Sequence, residues 1–282
     1  MYNSQKKDEA AIEKWSGLLV DVYTNEAKRG IVQAMVDLGQ TFENQELGLR
    51  DYAKAAEWYR KAAKSGDAYA QTRFGVMLEN GIGVEKDEKA ALKWYRNAAP
   101  WNAEAQNAIG VMYDHGIGVE KDARKAVEWY RKAANRGNSV AQNNYGIMLA
   151  NGIGIEEDPV EAVRWFRAAA KVFNDQAQVN LGRMLEAGNG VQKDTTEALD
   201  HYQRAARYGN NSAAHFNIGR IFENGIGVEA DAKAAVESYQ KSALGGHSVG
   251  QYRLGLMLAD GRGVPKNDAT ACLLYTSPSP RD

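Results

Sequence analysis

The stretch NGIGVEKD, Asn80–Asp87, decides the fold. Taken alone, its paired glycines and polar finish suit a loop that cradles phosphate. Relatives follow: HGIGVEKD at His115–Asp122, NGIGIEED at Asn151–Asp158, AGNGVQKD at Ala187–Asp194, NGIGVEAD at Asn224–Asp231 and DGRGVPKN at Asp260–Asn267. Their first glycines, at 81, 116, 152, 188, 225 and 261, recur about every 36 residues. A phosphate site needs one such loop. A fixed period marks stacked repeats instead.

One repeat, Gly66 to Ala99, shows what the loop does. Ala70, Phe74, Met77 and Leu78 lie at the spacing of one helical face, which predicts a first helix over 67–79. Gly75 sits inside that helix, where it costs about 0.5–1 kcal/mol relative to alanine. It has equivalents at Gly39, Gly110, Gly146, Gly182, Gly219 and Gly255, and the expectation is a tight crossing in which another backbone approaches closely. Gly81 ends the helix in a left-handed conformation, Gly83 permits a second bend, and Asp87 caps the next helix. Asp51, Asp122, Asp158, Asp194, Asp231 and Asn267 occupy the same position. They form a row of caps rather than a row of metal ligands or catalytic acids. Pro159 after Asp158 and Glu197 three residues after Asp194 support that register.

The second helix carries an aromatic pair against small alanines: Trp58/Tyr59, Trp94/Tyr95, Trp129/Tyr130, Trp165/Phe166, His201/Tyr202 and Ser238/Tyr239. Such a stripe reads as core. Gly66 and Gly137 turn the chain into the next repeat, and Trp101, Phe173 and Asn210 replace that glycine elsewhere, so those turns should differ locally.

The 282 residues are 44% hydrophobic and 25% charged, with a net charge of -1. That balance lacks the basic face a nucleic-acid partner would need. No apolar run approaches the roughly 18–20 residues that span a bilayer. The first residues, MYNSQKKDEAAIEKW, contain no apolar segment of a signal peptide, so the default expectation for localisation is cytoplasmic. Four histidines, His115, His201, His215 and His247, are scattered. Asp114–His115 has no neighbouring nucleophile and no metal-ligand spacing. No catalytic residue, cofactor or metal site is expected. Cys272, the single cysteine, allows no intrachain disulfide framework. The ending CLLYTSPSPRD back-translates without strain to a transposase-type sequencing adapter, so residues 272–282 read as an artefactual tail whose Pro278 and Pro280 would break a helix.

An α-hairpin of this period, with A-Q-x-x-[LFIY]-G, then N-G-x-G-V-x-x-D, then A-x-x-W-Y-x-x-A-A, closely resembles the Sel1-like repeat, a relative of the tetratricopeptide repeat with a longer loop between its helices. The resemblance runs from about Ile31 to Ala271. Copy one departs from it at NQELGLRD, Asn44–Asp51, which lacks both usual glycines. The expected organisation is a capping helix or degenerate repeat at 1–30, then copies at 31–66, 67–101, 102–137, 138–173, 174–210, 211–246 and a truncated 247–271. The resemblance implies an all-α, right-handed α-α superhelix serving as a non-catalytic scaffold or adaptor, as in signalling. Partners would lie on a concave wall of first helices. Some secreted bacterial members carry a disulfide in each repeat, and here no repeat contains a cysteine. Two other readings remain open: the accessory region of a larger enzyme or membrane protein, and a secreted host-interacting repeat protein.

If first helices line a groove, the positions of Tyr69, Thr72, Arg73, Val76, Glu79 and Asn80 should face it. The Thr72 and Arg73 columns then give an asparagine ladder, Asn107, Asn143, Asn144, Asn180 and Asn217, flanked by Arg183 and Arg220, with Tyr69, Phe216 and Tyr252 as aromatic contacts. Asparagine both donates and accepts, which suits an extended main chain. Arginine forks onto carboxylates. The expected partner is therefore a protein or extended peptide bearing acidic groups. The alternative is that these asparagines only bond neighbouring repeats or face water.

Overall fold

The computed structural model describes residues 2–45 and 49–276, with side chains over 15–45 and 49–272. Among the described residues there are fifteen helices and no strand. The chain divides into two compact units, residues 1–136 and 137–282.

In unit 1, α1 (Tyr2–Lys28) packs on α2 (Val32–Glu43). Three hairpins follow: α2 with α3 (Tyr52–Lys64), α4 (Ala68–Asn80) with α5 (Glu88–Ala98), and α6 (Ala103–His115) with α7 (Ala123–Asn135). Successive hairpins meet through α3 and α4, then α5 and α6. Unit 2 repeats the plan with α8 (Ser139–Asn151) and α9 (Pro159–Lys171), α10 (Asp175–Ala187) and α11 (Thr195–Gly209), α12 (Ser212–Asn224) and α13 (Ala232–Leu244), and α14 (Ser248–Asp260) and α15 (Asp268–Thr276).

The loop works as a stop, a bend and a cap. Gly81 takes φ 70, and Ile82 N–H bonds back to the Met77 carbonyl at 2.9 Å. Asp87 N–H then closes the loop onto the Leu78 carbonyl at 2.8 Å, while its carboxylate accepts from Ala90 N–H at 2.9 Å. Asp51, Asp122, Asp158, Asp194, Asp231 and Asn267 cap in the same way. Gly83 does more than bend. At φ 69, a Cβ there would run into the Tyr52 carbonyl of the preceding hairpin's second helix. Gly190 meets Pro159, and Gly263 meets Ala232, in the same way. Each such loop is thus seated on the start of a neighbour's second helix. Residues 46–48, inside the divergent first loop, lie outside the described set.

The buried glycines of α2, α4, α6, α8, α10 and α12 have a different neighbour from the one expected. No backbone crosses there. A Cβ at Gly75 would stand 2.6 Å from Cε1 of Tyr95, and Gly39, Gly110, Gly182 and Gly219 lie equally close to Tyr59, Tyr130, Tyr202 and Tyr239. The aromatic ring of the hairpin's own second helix packs directly against the glycine, so the helices approach across one ring. Those tyrosines are among the largest fully buried side chains.

First helices carry a second set of caps that the repeat signature does not display. Asp67, Asn102, Asn138, Asn174 and Asn211 accept from the third residue on, and His247 accepts through Nδ1. The turns at Phe173 (φ 61) and Asn210 (φ 45) keep the left-handed backbone of Gly66 (φ 93), whereas Trp101 does not, so the expected local difference is one of backbone sense at Trp101 alone. Of the tail read as artefactual, 272–276 continues α15. Residues 277–282, with Pro278 and Pro280, lie outside the described set.

Candidate functional site: the first-helix face and the second-helix clefts

The first-helix column at Thr72 is not the open groove wall expected from the sequence. Val36, Thr72, Asn143 and Val179 are buried there, Asn107 and Phe216 are half-buried and Tyr252 is exposed, while Asn217 of the adjacent Arg73 column is buried. Stacking covers a position that a single hairpin would leave exposed, and Asn143 meets Asn180 of the next hairpin. Thr72 returns its hydroxyl to the Ala68 carbonyl at 2.8 Å.

The proposed contact residues accordingly divide. Asn107 and Tyr69 belong to unit 1, and Asn107 is half-buried. Tyr69, on the exposed edge of α4, accepts through its hydroxyl from Gln40 at 3.2 Å. In unit 2, Asn180 donates to Asn143 at 2.8 Å, and Asn217 donates to the Ala213 carbonyl of its own helix at 2.9 Å. Two rungs of the asparagine ladder are therefore bonds between or within repeats. Phe216 stacks on His247 with centroids 4.8 Å apart. Arg220 forks both guanidinium nitrogens onto Glu186, so the chain already supplies its carboxylate. Asn144 is half-buried, and Arg183 and Tyr252 are exposed. Among the described residues Arg183 has no ion-pair partner.

One set of polar residues escaped the sequence reading. Glu43, Glu79, Asp114, Glu186 and Glu223 each accept from the tyrosine hydroxyl of their own hairpin, at 2.7, 2.6, 3.5, 3.2 and 2.7 Å. Arg73 then reaches Glu43 from the next hairpin at 2.7 Å, as Arg220 reaches Glu186 and Arg262 reaches Glu223. The tyrosine and arginine meet on one acid. Burial and the Glu79 carboxylate push the Tyr95 hydroxyl well above its usual value. Burial alone would raise the Glu186 carboxyl, but Arg220 and Tyr202 hold it below the usual carboxylate range. A signal existed: acid and tyrosine are always 16 residues apart, and copy four loses both at once, with Ala150 and Phe166.

The A-Q of the motif is a seam bond. Gln71, Gln106 and Gln178 donate to the Ala63, Ala99 and Ala170 carbonyls at the end of the preceding second helix. On that side of unit 2 the surface opens into clefts. One, of about 310 Å³, lies among α9, α10 and α11 around His201. Another, of about 420 Å³, lies around Ser238 and His215. His201 Nδ1 contacts Gln178 Oε1, and burial lowers the imidazole's pKa against the pull of Glu197. Glu197 is itself paired with Arg167 at 3.2 Å, and no hydroxyl or thiol nucleophile lines that cleft. His115 Nδ1 stands 3.7 Å from Asp114, on a side chain largely in water. Among the described residues no cluster of three or more His, Cys, Asp or Glu could hold a metal ion. No helix there is long and apolar enough to cross a membrane.

A Sel1 repeat profile matches residues 32–67, 68–99, 103–138, 139–171, 175–210, 212–247 and 248–277. The chain belongs to the Sel1 repeat family. It is similar to a protective antigen of uropathogenic Escherichia coli strains displaying an SLR fold, at 34% identity and TM-score 0.76 over 97% of this chain and 62% of that one. It thus spans less than two thirds of that protein. It also resembles a Sel1 repeat protein from Oxalobacter formigenes, at 28% identity and TM-score 0.78 over 86% of this chain and 95% of that one. Among curated proteins no match was found. Sel1 repeats generally mediate protein–protein interaction, and their scaffold is generally non-catalytic.

Proposed function

We propose that this chain is an interaction scaffold that holds an extended, acidic segment of a partner protein on the first-helix face of unit 2, with Arg183 as its charged contact. One observation carries the reading. Arg183 and Arg220 occupy the same repeat position, yet Arg220 is satisfied by Glu186, while Arg183 is exposed with no ion-pair partner among the described residues. The residue at the Glu186 position one hairpin earlier is Ala150, so the chain offers Arg183 no equivalent acid. A partner carboxylate would complete the pattern that the neighbouring hairpin completes internally. Half-buried Asn144 and Asn180 and exposed Tyr252 give this face amide and aromatic surface as well.

The test is a labelled peptide of alternating glutamate and alanine, titrated by fluorescence anisotropy against the chain and its Arg183→Glu variant. Charge reversal should weaken binding about tenfold or more and leave the unfolding midpoint in place. Equal affinity for both proteins contradicts the proposal. Asn143 is a poor probe, because it is buried and bonded to Asn180.

A further inference from the structure

We propose that the second-helix face of unit 2 carries two vacant tryptophan slots, at His201 and Ser238, which receive aromatic side chains of an acidic partner peptide. The slots are defined by the copies that fill them. Trp94 sets its ring edge-on to Phe74 of the same hairpin with centroids 5.6 Å apart, and Trp165 meets Tyr145 at 5.6 Å in the same way. The equivalent residues are His201 with Leu181, and Ser238 with Ile218. There the clefts of about 310 and 420 Å³ lie, with those residues in their walls. Both fall in the size range of pockets that enclose ligands. Ser238 turns its hydroxyl back to the Ala234 carbonyl at 2.8 Å, so it makes no demand for a polar occupant.

The cation that accompanies the ring in two of the four tryptophan copies is also present here. Three residues after the tryptophan, Lys61 places its ammonium 4.0 Å from the Trp58 ring centroid, and Lys132 lies 4.3 Å from that of Trp129. In the vacant copies that position is Arg204 and Lys241, each lining its own slot. An entering indole would meet an aliphatic side chain, Leu181 or Ile218, and a cation three residues on, as Trp58 and Trp129 have in Lys61 and Lys132.

Charge selects the rest of the partner. A third cleft, of about 350 Å³, shares Arg204 with the first and Arg207 with the second, and so links the slots along α11. The acids at this face are already held, Glu197 by Arg167 and Asp200 by Arg204 at 2.8 Å. Lys171, Arg207 and Lys241 have no ion-pair partner among the described residues. Phe173 borders the linking cleft edge-on to Tyr208 at 5.6 Å, 69% exposed, on a left-handed backbone that costs a non-glycine residue energy. An exposed aromatic pair beside unpaired cations fits a peptide that alternates aromatic and acidic side chains.

The experiment compares two fluorescein-labelled peptides, Glu-Glu-Trp-Glu-Glu and Glu-Glu-Ala-Glu-Glu, by anisotropy. The protein is the full chain carrying Arg183→Glu, so that the outcome is independent of the first-helix face. The tryptophan peptide should bind about tenfold more tightly than the alanine peptide. That preference should vanish in His201→Trp/Ser238→Trp, whose own indoles occupy the slots. Arg204→Ala/Lys241→Ala should also abolish it, and gives the same reading if the filled variant fails to fold. Equal affinity for the two peptides overturns the proposal, as does a preference that survives in the filled variant. A lower sedimentation coefficient on filling the slots would assign them to a second copy of this chain, and also overturns it.

Discussion

Unit 1 and unit 2 are built on one repeat plan and differ in what closes the outer seam. Each second helix of unit 1 keeps its tryptophan, Trp58, Trp94 and Trp129, whereas in unit 2 α9 keeps Trp165 and α11 and α13 carry His201 and Ser238. The tyrosine beside that position is retained throughout α11 and α13 and is fully buried. The difference separates two jobs within the aromatic pair. The inner ring lies on a glycine and closes the hairpin, so it cannot be given up. The outer ring, half-buried, fills a slot between second helices and can be lost locally, leaving a cleft.

Several changes would break or sharpen this comparison. The largest effect is expected at the loop contact shared by both units. Gly83→Ala and Gly190→Ala force a side chain onto a left-handed backbone and into the carbonyl of a neighbouring helix, and each should cost about 3–4 kcal/mol in urea denaturation. A loss under 1 kcal/mol would show that the loop is not seated as described. Next, Trp94→Ala should cost about 2–3 kcal/mol and open in unit 1 the cleft that unit 2 already has. Tyr95→Phe removes a 2.6 Å bond to Glu79 and should cost about 1 kcal/mol. Tyr130→Phe removes a 3.5 Å contact to Asp114 and should cost only a few tenths. Equal losses would contradict the assignment of a bond at Tyr95 and only a weak contact at Tyr130.

The smallest effect is pH. Burial depresses the imidazoles of His201, His215 and His247, all in unit 2, from their ordinary value of 6.5. A group whose folded pKa is depressed binds its proton more readily when unfolded, so stability is full above about 6.5 and falls as pH drops through the folded values. The urea midpoint should therefore decline between pH 7.5 and 5.5, and less so in His201→Gln. An unchanged decline would exclude His201 as a contributor.

Legibility followed the range of the interaction. The caps at Asp87 and its equivalents, the helix stop at Gly81 and the buried aromatic stripe are written within a few residues of each other, so period and spacing revealed them. Gly75 was recognised as a close approach, but its partner lies twenty residues away on another helix, and spacing does not say whether ring or backbone arrives. The Thr72 column looked open because a lone hairpin leaves it open, and in the stacked array Asn143 is buried and bonded to Asn180 of the next hairpin. The vacant slots were visible as His201 and Ser238 in an aromatic column. Their meaning needed the positions of Leu181, Ile218, Arg204 and Lys241 around them.

The most direct measurement of the central claim is the urea midpoint of His201→Trp/Ser238→Trp against the parent chain at pH 7.5. If these positions are unfilled copies of a shared tryptophan slot, the indoles enter space already shaped for them, and stability should rise by about 1–2 kcal/mol. A fall in the midpoint would contradict the account, because it would mean that the clefts at His201 and Ser238 are not the slots that Trp58, Trp94, Trp129 and Trp165 occupy.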